Sequence, residues 1–202
     1  MKKNVIFLLA LMILLLSTAC VSSQTTPPAE TAPVEDGYVV YEAFFLDNEE
    51  ILRLFSDVRG AEAPYEYLTK DFHVTTAYMP EEDMHEFYGT EVTVHIYAYQ
   101  NGEVQADDGT MTANEGFFCT VNTENAEMQR YIDSLEKSWH ITGSYAAKGG
   151  AKYTEYLDLT DAEKVDFSVK GRFGGVLSDG SITSSPEEAE QFLSAQVSGG
   201  SK

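Results

Sequence analysis

One nine-residue pattern is written twice in this chain: Lys-x-aromatic-His-(Val/Ile)-Thr-x-x-Tyr, at residues 70–78 (KDFHVTTAY) and again at residues 137–145 (KSWHITGSY). The setting of each copy is apolar and β-branched, which predicts a strand. On a strand, residues i and i+2 share a face, so His73 and Thr75 point one way together, as do His140 and Thr142. A fold that brings the two strands side by side offers two imidazoles and two hydroxyls to one small anion. That equipment suits the breaking of a phosphodiester.

The rest of the chain supplies elements around these strands. Residues 38–46 (YVVYEAFFL) read as a buried strand. Asp47 follows as a helix N-cap, with Glu50 completing a capping box. Ile51, Leu54, Phe55 and Val58 form the apolar stripe of a helix that Gly60 ends. The first motif strand comes next and is closed by Pro80. Residues 91–99 alternate, with Val92, Val94 and Ile96 on one face and Thr93, His95, Tyr97 and Tyr99 on the other. Asn101-Gly102 predicts a two-residue hairpin turn, and Asp107 to Gly109 is expected to break or bulge the return strand. Residues 117–121 form a further strand. A helix opens near Thr123, with Met128, Tyr131, Ile132 and Leu135 inward, and leads straight into the second motif strand. The order strand, helix, motif strand thus occurs twice, a degenerate internal duplication. Val165, Phe167 and Val169 predict another strand, which Phe173-Gly174-Gly175 closes or bends. Beyond Ser178 the chain turns polar, and Ser185-Pro186 can open a short peripheral helix carrying Phe192 and Leu193.

The N-terminus reads as a targeting segment. Lys2 and Lys3 precede an apolar run at residues 5–16, too short for a comfortable membrane span, and Ser17-Thr18-Ala19 precede Cys20. This arrangement resembles the lipobox of bacterial lipoproteins, with Ser17 where leucine is usual and Leu16 one position further back. The resemblance implies lipidation at Cys20 and an extracytoplasmic, lipid-anchored location; an ordinary secretory signal is the other reading. The expected organisation is residues 1–19 signal peptide, 20–36 lipidated cysteine and flexible Ser/Thr/Pro/Ala linker, 37–182 one domain, and 183–202 a polar tail. Only Cys119 accompanies Cys20, so no disulfide within the domain is possible, and Cys119 is expected to be a small buried hydrophobe. With 13 basic against 33 acidic residues, the chain lacks the cations that displace counterions from a long polyanion. Long nucleic acid is therefore not an expected partner, whereas a small nucleotide held at one site remains compatible.

The paired His-x-Thr strands resemble the two-histidine (2H) phosphoesterase superfamily. HITGSYAAKGGAKY and the later VKGRFGGV are similar to the second half of its RNA-repair-type members. The resemblance spans residues 38–177. It implies an α+β class, in a duplicated two-lobed fold of antiparallel sheets, with one helix per lobe and a cleft between the lobes. It implies hydrolysis of 2′,3′-cyclic phosphates or similar small phosphodiesters of nucleotides or RNA ends. His73 and His140 would serve as general acid and base, the sequence leaving open which is which, while Thr75 and Thr142 would bind the non-bridging phosphate oxygens. Gly143 departs from the family, where an apolar residue commonly follows the second His-x-Thr. Lys148, Lys152 and Arg172 are weaker candidates for phosphate contact if the loop after the second motif folds over the site. Phe72 and Trp139 are expected in the core, and the odd offset of Tyr78 and Tyr145 from their histidines predicts that these too face away from the site. No zinc-ligand cluster, P-loop or Gly-x-Ser-x-Gly turn is present in the sequence, so neither metal nor cofactor is expected. Two rival expectations stand beside the enzyme: a lipoprotein that binds a phosphorylated ligand without turnover, and an extracytoplasmic interaction module that retains the fold for packing.

Overall fold

The computed structural model describes residues 37–197. The predicted signal segment, the lipidation site at Cys20 and the linker lie outside the described residues. Mixed α+β structure is observed, built on one open antiparallel sheet of eight strands. In chain order the elements are β1 (Val39–Leu46), α1 (Asn48–Arg59), β2 (Tyr67–Leu68), β3 (His73–Tyr78), β4 (Glu91–Gln105), β5 (Met111–Asn122), α2 (Ala126–Ser134), β6 (His140–Tyr145), β7 (Glu163–Leu177), β8 (Ile182–Thr183) and α3 (Pro186–Val197). Two 3-10 segments, His85–Phe87 and Gly150–Tyr156, join them.

The sheet runs β2-β6-β5-β4-β7-β1-β3, with β8 added against β7. β7 is its spine. From Glu163 to Arg172 it pairs with β4, and from Gly171 to Leu177 it pairs with β1. Although β3 and β6 stand near opposite ends of this order, they touch, so the sheet curls until its ends meet.

One face carries the core. Phe44, Val74, Val92, Val94, Ile96, Phe117, Cys119, Val121, Ile141, Val169 and Phe173 pack there against Ile51, Leu54 and Phe55 of α1 and Met128 and Ile132 of α2. Phe72 is buried with them and Trp139 packs against them. Because side chains alternate along a strand, burial of Val74 and Ile141 on this face turns His73, Thr75, His140 and Thr142 to the other.

Local chemistry explains the helices. Asp47 caps α1 by accepting from the Glu50 N–H at 2.9 Å, acids occupy its first turn and Arg59 its last, which suits the helix dipole. Gly60 follows at φ 87°. α2 starts later than Thr123 suggests, because Asn125 is the residue that accepts from Glu127 and Met128 N–H. The Thr123 hydroxyl instead donates to the Glu91 carbonyl.

Two turn expectations are corrected. Asn101-Gly102 lies inside β4, paired across from Glu115 and Asn114, and the hairpin closes at Asp107–Gly109. There Asp108 accepts from both the N–H and the hydroxyl of Thr110, and Gly109 takes φ 83°, conditions Asn101-Gly102 does not outcompete. Nor do Gly174 and Gly175 end β7. A Cβ on Gly175 would run into the Tyr88 ring, at 2.8 Å from Cζ, and one on Gly174 into the Ser184 hydroxyl at 2.6 Å. These glycines admit neighbours while the strand continues. α3 is less peripheral than expected: its Ala189 is fully buried and joins the main core, while Phe192 and Leu193 are half-buried.

Candidate functional site

Two polar tethers hold the motif strands in antiparallel contact and bracket the histidines. Lys137 lies just before His140, and its Nζ donates to the carbonyls of Thr75 and Thr76, each at 2.9 Å, just after His73. Thr69 lies just before His73, and its N–H donates to the Gly143 carbonyl at 2.9 Å, just after His140. Each histidine therefore sits between the same two cross-links, abreast of the other. His73 is close enough that a charge on His140 acts on it.

The two imidazoles are oriented alike. Nδ1 of His73 lies 2.7 Å from the Asp71 carbonyl, and Nδ1 of His140 lies 3.0 Å from the Ser138 carbonyl. A carbonyl oxygen only accepts, so in each neutral ring the proton belongs on Nδ1 and the free lone pair on Nε2. Tyr41 stacks on His73 with centroids 5.1 Å apart, Phe45 flanks it at 5.8 Å, and Phe118 flanks His140 at 6.4 Å.

Burial is the main influence on both rings and lowers both pKa values from the ordinary histidine range. The carbonyl contacts oppose that shift; beyond them, the Glu155 carboxylate favours the proton on His140 and the Lys137 ammonium disfavours it. A depressed histidine pKa means that the unfolded chain binds more protons just below about pH 6.5. Each imidazole therefore contributes stability that is present above that pH and lost as the pH falls through the window beneath it. We expect the two imidazole resonances to titrate with midpoints below about 6.5 in NMR; a midpoint above that value on either ring contradicts the burial argument.

The threonines differ. Thr75 is half-buried, and among the described residues its hydroxyl has no hydrogen-bond partner. The Thr142 hydroxyl is engaged with the Ala151 carbonyl at 3.2 Å and Thr154 Oγ1 at 3.0 Å. Thr154 is fully buried and also accepts from the Asn114 amide. The segment after the second motif thus does fold over the site, using Ala151, Thr154 and Glu155. Of the basic candidates, Lys148 is exposed, Lys152 is paired with Asp107 of the β4–β5 hairpin, and Arg172 is paired with Glu91 at 3.2 Å. Arg172 shares the site's face of the sheet, directly across Phe45 from His73.

The half-buried Lys137 ammonium is a residue whose role the sequence understated. Its burial lowers its pKa, and it also lies over the Trp139 ring. Lys137→Met leaves two carbonyls without their donor and is expected to cost about 1–3 kcal/mol, measured by urea denaturation; Lys70, which is exposed, makes the comparison variant.

A second repeat, Glu-(Ala/Gly)-Phe-Phe, underlies the matched geometry. Phe45 faces His73, Ala43 faces Thr75 and Tyr41 faces Tyr78; Phe118 faces His140, Gly116 faces Thr142 and Asn114 faces Tyr145. Glu42 and Glu115 hold the corresponding positions, both fully buried on the core face. Glu42 accepts from Met84 N–H at 2.6 Å and Tyr88 Oη at 3.3 Å. Glu115 accepts from Tyr99 Oη at 2.9 Å and pairs with Arg59 Nε at 3.1 Å. Burial pushes both carboxyls up. The departure at Gly143 has its reason here, since a Cβ there would lie 2.6 Å from the Phe55 ring and 2.8 Å from Glu115 Oε1.

One face assignment is corrected. β3 carries an extra residue between Thr75 and Ala77, and β6 one between Thr142 and Tyr145. Each bulge inverts the alternation, so Tyr78 and Tyr145 lie on the same face as the histidines. Tyr145 stacks on Tyr67 of β2, with centroids 5.7 Å apart.

Two surface hollows, one bounded by Tyr97, Leu159 and Lys164 and one by Thr93, Asn122 and Lys170, lack any motif residue. His85 is bonded to Asp83 and His95 to Ser168, both apart from the motifs. Cys119 is free and buried, which raises its pKa. Among the described residues, no cluster of three or more His, Cys, Asp or Glu side chains is placed to hold a metal ion, and no helix is long and apolar enough to cross a membrane. No family model, curated protein or solved structure matches the chain.

Proposed function

We propose that this chain is a 2H-type phosphodiesterase that hydrolyses 2′,3′-cyclic phosphates or similar small phosphodiesters. The observation that carries the reading is the pair of tethers that sets His73 and His140 abreast, each with Nδ1 donated to a carbonyl and Nε2 free. In this reading one Nε2 takes a proton from water as it attacks phosphorus. The other imidazole, protonated, gives its proton to the departing ribose oxygen. Thr75 donates to a non-bridging oxygen, and Thr142 does so once its hydroxyl turns from Ala151. Because burial disfavours the protonated acid, kcat/KM should already be declining as the pH rises toward about 6.5 and should continue to fall above it.

The matched registers of β1 with β3 and β5 with β6, and the division of β7 between two partners, support a duplicated, two-lobed arrangement with the site where the halves meet. Lipidation at Cys20 and an extracytoplasmic, membrane-anchored location belong to the same proposal. A binding lipoprotein is favoured over the enzyme by one observation, the commitment of the Thr142 hydroxyl to Thr154 and Ala151. Incubating the full chain with 2′,3′-cyclic nucleotides separates the two. Turnover lost in both histidine variants supports hydrolysis; saturable binding without product supports the binder.

A further inference from the structure

We propose that Tyr78 is a base-stacking platform, and that the ligand is a short single-stranded oligonucleotide end rather than a mononucleotide. This rests on the phosphodiesterase reading of the same site and deepens it. The bulge at Thr76 turns Tyr78 onto the face of His73 and Thr75, where it is 73 % exposed. An aromatic row links it to the imidazole: Tyr41 stacks on His73 and is the direct cross-strand partner of Tyr78. The two ends of the site differ. Tyr145, which holds the corresponding position on β6, is stacked on Tyr67 and approached by Gly150, whose added Cβ would lie 3.8 Å from its ring. The Tyr78 end is open, so it is the end along which a strand extends.

Length follows from geometry. Tyr78 lies four paired positions along β3 from His73, since the bulge adds a residue without adding a position, which is roughly 13 Å at about 3.3 Å per position. That is beyond the base of the reacting nucleotide, which closes the 3′ end, and within reach of the bases on its 5′ side in a short strand. Base–aromatic stacking tolerates any sequence. It also needs no lysines or arginines, which suits a chain of net charge −20 that is poorly equipped to grip a phosphate backbone.

The test compares adenosine 2′,3′-cyclic phosphate with a tetranucleotide bearing the same cyclic end, using the full chain, Tyr78→Ala and Tyr78→Phe. Wild type should favour the tetranucleotide in kcat/KM by about 5- to 100-fold. The preference should collapse toward unity in Tyr78→Ala and persist in Tyr78→Phe. Equal kcat/KM for the two substrates in wild type, or a preference that survives Tyr78→Ala, overturns the proposal. Binding of a 3′-phosphorylated tetranucleotide against the 3′-mononucleotide gives a readout independent of turnover. If no cyclic phosphate is hydrolysed, the catalytic reading fails by itself. In that case tighter tetranucleotide binding that Tyr78→Ala abolishes still supports the platform, and binding indifferent to length or to Tyr78 overturns it.

Discussion

Replacing His73 with alanine is expected to lower kcat/KM for a 2′,3′-cyclic nucleotide by about 10²–10⁴-fold, and replacing His140 by a comparable factor. The size follows from the proton-transfer roles proposed for them, since each imidazole presents a free Nε2 and each is oriented by its own backbone carbonyl. In the proposed mechanism the two act on one phosphorus in one step, so the double variant should lose little more than the worse single one. Neither substitution should unfold the protein. Both rings are half-buried rather than core, so circular dichroism and melting of the variants should remain close to those of wild type. Additive losses, or loss from one histidine alone, would speak for two independent roles.

Phe55→Ala is expected to cost about 3–5 kcal/mol of stability, a large part of what a domain of this size has. Phe55 is fully buried and is the anchor of α1, packing on Phe117 at 4.2 Å, Phe72 at 5.6 Å and Tyr99 at 6.3 Å between centroids. Gly143 on β6 makes room for the same ring, so the loss loosens the helix together with the strands carrying both motifs. Urea denaturation measures it. A loss below about 1 kcal/mol would show that the surrounding core collapses around the gap.

What was legible in the sequence was local. The Asp47 cap, the stripe from Ile51 to Val58 and Gly60 define α1 within one stretch of chain, and the doubled His-x-Thr fixes which residues share a strand face. What was hidden depends on partners distant in sequence. The bulge at Thr76 exists only relative to β1, so simple alternation sends Tyr78 to the wrong face. Asn101-Gly102 satisfies a hairpin pattern, yet the pairing of β4 with β5 continues past it and Asp107–Gly109 supplies the better turn. Glu42 and Glu115 are charged residues inside strands whose burial in the core no local pattern announces, although their shared Glu-(Ala/Gly)-Phe-Phe setting is a signal of it. Lys137 belongs to the motif, but its hold on Thr75 and Thr76 is a contact across the curled sheet that no local pattern contains.

The proposed convergence of the two histidines on one anion can be tested without any turnover, by titrating adenosine 3′-monophosphate into protein whose imidazole Cε1–H resonances are assigned. The account predicts that the His73 and His140 signals shift together along one saturation curve with a single Kd, while His85 and His95 stay still. If only one of the pair responds, or each follows its own Kd, the two rings do not share a ligand and the two-histidine mechanism is wrong.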